Sequence, residues 1–251
     1  MASTKSSYTL LGLGLTLAGV VLSLLSYFVL RSTPLTALGI STIIVGGVSL
    51  ALGRGQPKIP PEASAILLES GVENISAIVE ELGLSSKAIY LPSSLTNDKP
   101  KALIPLRSNP HPPELGKTVL PKRLIVKHGS KPEDVGLLLA TPGSAVAGMV
   151  ESKPNPTAGD LEAALTLALA GILNLIDAAN VTMGDAGILV EVSNPRLEHK
   201  KMWVYESLGS PLASMVASIV AEVFDKPVTI EDEQRSRGKC LIKLKLAGLG
   251  S

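Results

Sequence analysis

Cysteine, histidine and aromatic side chains are all scarce in this 251-residue chain, which holds one Cys, three His, two Phe, one Trp and four Tyr. The lone Cys240 excludes an intrachain disulfide and any multi-cysteine zinc or iron–sulfur centre, and three scattered histidines leave little for a His-based one, so no metal site is expected. A charge bias is also missing. Lys and Arg total 23 against 22 Asp and Glu, a formal net charge of +1 that gives no electrostatic footprint for nucleic acid. Only 18% of residues are charged, 45% are hydrophobic and the mean hydropathy is +0.35, which excludes a disordered chain and is too apolar for an ordinary soluble domain.

Catalytic signatures are lacking too. There is no G-x-S-x-G elbow, and Gly116-Lys117-Thr118 fails as the end of a phosphate loop because the earlier glycine it requires would fall on His111. No catalytic residue and no cofactor is assigned, and the chain reads as non-enzymatic.

What is present first is apolar length. Residues 1–53 contain only Lys5 and Arg31 as charged side chains. The uncharged runs at 8–30 and 34–53 are each long enough, at about 1.5 Å per residue, to cross a hydrocarbon core of roughly 30 Å. Separated by Arg31-Ser32-Thr33, they predict a two-helix transmembrane hairpin over residues 1–55; the first run is longer than the apolar part of a signal peptide, and a second span follows it at once. A tight turn puts both ends on one side. Lys5, Arg54 and Lys58 outnumber Arg31, so both termini are expected in the cytoplasm. Small residues at Gly12, Gly14, Ala18 and Gly19, and at Ala37, Gly39, Ser41, Gly46 and Gly47, allow close backbone approach. No ionisable residue lies mid-membrane, so the hairpin reads as an anchor in a lipid bilayer.

Residues 56–61 form a breaker-rich linker, and 62–251 are expected to make a cytoplasmic α+β domain with its own core. Leu68, Val72, Ile75, Val79 and Leu82 fall on one helical face, with Gly83 placed to stop the helix. Strands are predicted at 87–91, 102–106, 123–127 and 135–140, and the prolines of 108–113 make an extended loop. Thr157-Ala158-Gly159-Asp160 is a capping pattern that opens a nearly uncharged helix through Ile176, expected at the centre of the core or along a pocket. A strand at 187–192, a helix at 211–224 and strands at 227–231 and 240–246 complete the reading.

Two resemblances follow from these segments. ELGLSSKAIYLPSS, ALIPL, RLIVKHG and SPLASMVASIVAEVFDKPVTIEDE, in that order behind a hairpin, resemble an uncharacterised family of archaeal membrane-anchored proteins, which implies architecture but no activity. Residues 160–246 are similar to the vinyl-reductase-type ligand-binding domain, a relative of the Bet-type subunits of TRAPP tethering complexes. That similarity rests on ILVEVSNP, SPLASMVASIVAEVF before DKPVTIEDE, and Gly238 with Cys240. It implies an apolar pocket beneath the helices. Where that domain has cysteines on both sides of the glycine, this chain has Gln234 near the first position.

Several local features carry both a chemical and a plain structural reading. Gly143–Gly148 is an anion cradle or a simple strand-to-helix turn. Cys240, beside Arg235, Arg237 and Lys239, is a reactive thiol or a small buried hydrophobe. Glu231-Asp232-Glu233 holds a metal or charged partner, or is a solvated turn. Lys122, Arg123, Lys127 and Lys131, with His128, form the one local basic cluster, a candidate contact for anionic headgroups. His199, Trp203 and Tyr205, with Lys200 and Lys201, are candidate ligand-binding residues on a loop that would gate a pocket. An enzyme would need Asp177, Asp185, His199 and Glu206 to converge. The expectation is a membrane-anchored domain that binds a hydrophobic small molecule, a lipid or a protein partner. The alternative is a structural or assembly scaffold for other membrane proteins with no ligand. A pocket between the helices at 160–176 and 211–224 favours the first, and a filled core with an exposed apolar patch favours the second.

Overall fold

The computed structural model describes residues 7–55, 61–106, 119–150, 155–184, 187–197 and 202–247, a mixed α/β chain with two N-terminal apolar helices and an antiparallel sheet. It divides into two compact units, Met1–Ser70 and Gly71–Ser251, the division falling within a helix.

The first unit contains α1, Ser7–Leu25, which continues as a π-helical turn over Ser26–Leu30, and α2, Thr33–Gly55. The reversal takes only Arg31 and Ser32, with Arg31 left-handed at φ 48° and the Ser32 N–H donating to the Ser26 carbonyl at 3.2 Å. Both helices are long and apolar enough to cross a membrane. Their seam repeats every seven residues: Gly12, Gly19 and Ser26 on α1 and its continuation are buried, as are Gly39 and Gly46 on α2. A Cβ at Gly19 would lie 2.8 Å from the Ile43 nitrogen and 2.9 Å from the Gly39 oxygen, and one at Gly46 would lie 2.7 Å from the Thr16 nitrogen. The two backbones therefore approach more closely than the ~8–10 Å between axes usual for helix pairs. A heptad repeat keeps that seam continuous only if the pair supercoils left-handedly.

The helix α3, Pro61–Glu81, begins at Pro61, a position the sequence placed in the linker. Gly83 at φ 63° closes it: the Leu84 N–H reaches back to Val79 O at 3.0 Å and the Gly83 N–H to Glu80 O at 2.9 Å, a Schellman end with Leu84 buried behind it. Val72, Ile75 and Val79 face the core as expected. Leu82 does not. It lies past the last helical turn and is largely exposed. The side chain of Leu68 lies outside the described residues.

The second unit is built on an eight-stranded sheet in the order β3-β4-β2-β1-β7-β8-β6-β5, with every neighbouring pair antiparallel. Its strands are β1 Ile89–Leu91, β2 Lys101–Pro105, β3 Ile125–Lys127, β4 Val135–Leu139, β5 Ala178–Gly184, β6 Gly187–Ser193, β7 Val228–Ser236 and β8 Lys239–Leu246. The helical elements are α4, the single turn Ser93–Thr96; α5, Pro142–Ala147; α6, Ala158–Leu165, continued by a π-helical stretch Thr166–Ile172; α7, Val204–Leu208; and α8, Pro211–Phe224. Side chains alternate across the sheet, so Tyr90, Ala102, Ile104, Leu137 and Leu139 enter the main core with the helices. Leu91, Leu103 and Leu138 face the other way, into a smaller core closed by Leu95, Leu120 and Val126. Toward β5 that second face is open to solvent. There Lys243 pairs with Glu231 at 2.8 Å and Lys239 with Glu191.

Four differences from the sequence reading have physical causes. The helix expected at the centre of the core or along a pocket, 160–176, buries Leu161, Leu165, Ala168 and Leu169 in the main core, but its α-helical part ends at Leu165 and Leu167 and Ile172 are exposed. The central helix is α8, started by Ser210 accepting the Ala213 N–H at 3.1 Å and Pro211 in the first turn, and buried on nearly every side. Strand β5, Ala-Ala-Asn-Val-Thr-Met-Gly, carries too few large apolar residues to show from composition; it is held by its seven-residue pairing with β6. Strand β7 runs on to Ser236 past a bulge between Ile230 and Asp232, leaving only Arg237 and Gly238, at φ 80°, for the turn. The loop expected around Trp203 contains α7.

One polar contact guards the sheet. Glu162 of α6 accepts the Val181 N–H of edge strand β5 at 3.1 Å, so the single carboxylate within that helix's apolar run is spent on an edge donor.

Candidate functional sites

Two surfaces contain the residues singled out by sequence. At the first, α7 packs on the connection between α3 and β1. Trp203 Nε1 and Ser207 Oγ both donate to Leu84 O at 3.3 Å, and the Ala88 N–H donates to Ser207 O at 2.9 Å. Beneath them the Tyr90 hydroxyl donates to Leu208 O, and burial pushes the Tyr90 phenol well above its ordinary pKa. Trp203 thus clamps a helix end while 44% of it stays exposed. Tyr205 is half-buried against the main core, and burial raises its pKa. The two sit two positions apart at the start of α7, a spacing that turns their side chains to different sides of the helix. His199, with Lys200 and Lys201, lies outside the described residues.

At the second surface, residues 121–125 are all exposed between two buried anchors, Leu120 and Val126. Lys122 pairs with Asp98 at 3.3 Å, Lys127 Nζ donates to Ser130 O at 3.1 Å, and the Lys131 N–H donates to Asp134 Oδ2 at 2.8 Å within the following turn. Sequence reasoning named the cations here but missed Leu124 and Ile125, which are 51% and 59% exposed. The sequence held no signal for their exposure: that β3 is a three-residue strand at the sheet edge is visible only in the structure.

His128 is buried beside this segment with no partner for Nδ1, and desolvation holds its pKa below the usual value although Asp134 pulls it up. The unfolded chain, with an ordinary value of about 6.5, takes up the proton first, so stability falls as pH drops through about 6.5 and levels below the folded value. Unfolding midpoints followed from pH 7.5 to 5 should show this decline. His128→Leu should flatten it, and an unchanged slope would rule out His128 as its source.

Cys240 is buried on β8, with Sγ 3.7 Å from Glu233 Oε1; burial, and then that carboxylate, push the thiol up to about 12. Such a thiol is inert. Iodoacetamide at pH 8 should react with the folded chain at least a hundred-fold more slowly than with the urea-unfolded chain, since an ordinary thiol titrates near 8.5. Comparable rates would restore the reactive reading. Gly143 and its neighbours lie inside α5, a six-residue helix packed on α8, which is the plain structural reading of Gly143–Gly148. Asp177 is engaged by Arg196 and by Asn194 at 2.7 Å, and Asp185 lies outside the described residues. Within the acidic run, Glu231 pairs with Lys243 and Glu233 accepts the Ser210 N–H at 3.0 Å, both structural uses. Among the described residues no three His, Cys, Asp or Glu gather as a metal site.

Fold and surfaces together define a two-part chain: a pair of helices long and apolar enough to span a membrane, and an antiparallel α+β unit. A family model described as a domain of unknown function, DUF7982, matches residues 1–246, and the chain belongs to that family. No curated protein and no solved structure matches it, so the likeness of residues 160–246 to the vinyl-reductase-type domain rests on the quoted residues alone.

Proposed function

We propose that this chain is a two-pass membrane anchor carrying a cytoplasmic, non-enzymatic α+β domain that works by contact with a hydrophobic ligand, a lipid or a protein partner. The observation that carries the reading is the inverted packing of the first unit. Glycines meet inside, while Leu13, Leu17, Phe28, Leu38 and Ile44 stand more than half exposed on the outside. A surface of that size and apolarity needs a cover, and a hydrocarbon core supplies one along both helices. The third helical stretch of similar apolarity, Val204–Phe224, is 72% buried inside its own unit, which favours a core role over a third span. The distribution of Lys5, Arg54 and Lys58 against Arg31 supports cytoplasmic ends.

Contact at the domain surface is favoured over an enclosed ligand, because Leu161, Leu165 and Leu169 of the α6 segment and nearly all of α8 belong to one buried cluster. The partly exposed Trp203 with Tyr205, and by sequence His199, remain the candidate contact for an apolar partner. A scaffold without a ligand is the second reading, supported by the exposed Leu167 and Ile172.

The test is accessibility labelling of the full chain in sealed membrane vesicles, with cysteines placed singly at Ser32 and Lys245. Labelling from opposite sides is expected. Labelling of both from one side would sink the hairpin. Native mass spectrometry of the detergent-extracted chain separates the other two readings: a stoichiometric adduct favours a ligand, and a bare mass favours the scaffold.

A further inference from the structure

The segment between Leu120 and Val126 is pinned at both ends and exposed throughout. Leu120 enters the smaller core and its N–H donates to Leu95 O at 2.8 Å; Val126 enters the same core, and Leu124 O accepts the Leu138 N–H at 2.7 Å. What this holds outward is a mixed set. Val119, Leu124 and Ile125 are each more than half exposed, with Lys122 and Arg123 between them and Lys127 two positions on. Ile125 and Lys127 share one face of β3, with half-buried Val135 opposite Lys127 and partly exposed Leu106 bonded to Val135. Of the acids nearby, Asp98 pairs with Lys122 and Asp134 is turned back onto the Lys131 N–H.

We propose that this segment is a second, peripheral membrane contact, with Leu124, Ile125 and Val119 entering the headgroup region of an anionic leaflet and Arg123, Lys127 and Lys131 lying at the phosphate level. Apolar tips between cations match a surface that offers hydrocarbon under negative charge, and a neutral or purely apolar partner would not use the cations. The inference rests on the anchor reading, since the chain's own spans would keep the domain near a leaflet at high effective concentration.

The experiment uses the full chain in vesicles, with an environment-sensitive fluorophore on Ile125→Cys or, as control, on Asn180→Cys at the exposed far edge of the sheet. Native Cys240 is buried and takes no label. Nitroxide lipids in phosphatidylcholine vesicles with or without phosphatidylserine act as quenchers. Quenching at 125 but not at 180, present with phosphatidylserine and reduced about five-fold for each of Arg123→Gln and Lys127→Gln, is the expected result. Equal quenching at both positions, no quenching at 125, or the same quenching in neutral vesicles would each overturn it. Flotation of the same samples tells the two readings apart. A chain that fails to float with vesicles refutes the anchor, whereas one that floats with an unquenched label refutes this contact alone.

Discussion

Replacing Gly19 by Leu should force the two apolar helices apart. A Cβ at that position meets Ile43 N at 2.8 Å and Gly39 O at 2.9 Å, both backbone atoms that no rotamer change can move. In hydrocarbon such a pair would have no water to expel, and close backbone packing, which falls away as the helices separate, would be what holds it. The seam should relax to an ordinary spacing, a widening of about 2–3 Å, at a cost of roughly 1–3 kcal/mol for the overpacked side chain. Spin labels on Leu17→Cys and Val45→Cys, both outward-facing, would read the widening directly. Gly14 has nothing within 4 Å of its added Cβ, so Gly14→Leu should leave the label distance unchanged. A Gly19→Leu distance equal to that of the parent chain would mean that the seam is not set by glycine.

Gly143→Ala should produce the largest loss in the α+β unit. The added methyl would lie 2.4 Å from Ser214 O and 2.6 Å from Ser218 Cβ, so α5 would have to lift from α8. Lifting it exposes Val146 and Ala147, which belong to the main core, and opens space beside the central helix. Overpacking and partial exposure together should cost about 3 kcal/mol or more. For a unit of this size that lowers the thermal midpoint by about 6–12 °C. Circular dichroism of the full chain in detergent would show it. Gly159→Ala is the matched control. Gly159 has open space around it in the first turn of α6, so that change should be neutral or stabilise by up to about 1 kcal/mol. Equal midpoints for the two variants would refute the close α5–α8 approach.

These two glycines also show what was legible in the sequence. The hairpin was visible because lack of charge over a fixed length is a one-dimensional signal, and the small residues along it could be counted before their partners were known. The helix at 211–224 was placed to the residue, and its ends are local: Ser210 and Pro211 start it and a left-handed Asp225 closes it. Gly143 was legible only as part of an anion cradle or a strand-to-helix turn, since its role depends on Ser214 and Ser218, some seventy positions away. Strand β5 was hidden for the same reason: its place comes from β6, not from its own small and polar side chains. At the candidate sites, the cations of 122–131 were read from local density. Exposure of Leu124 and Ile125 follows from the shortness of β3, which only the sheet order reveals. Trp203 stood out by rarity, but its bond to Leu84 O joins two segments more than a hundred residues apart.

If its two apolar helices lie in a membrane, the contact between Glu162 and the Val181 N–H bears on how copies of this chain meet there. Proteins confined to a plane meet one another far more often than the same number free in three dimensions, and they meet in restricted orientations that bring like edges together. Under those conditions a seven-residue strand with no lysine or proline of its own is an invitation to join sheets end to end. A carboxylate fixed on the middle of that edge occupies a donor any incoming strand would need and sets a negative charge in its path. One side chain on a neighbouring helix thus closes one edge donor to strand addition.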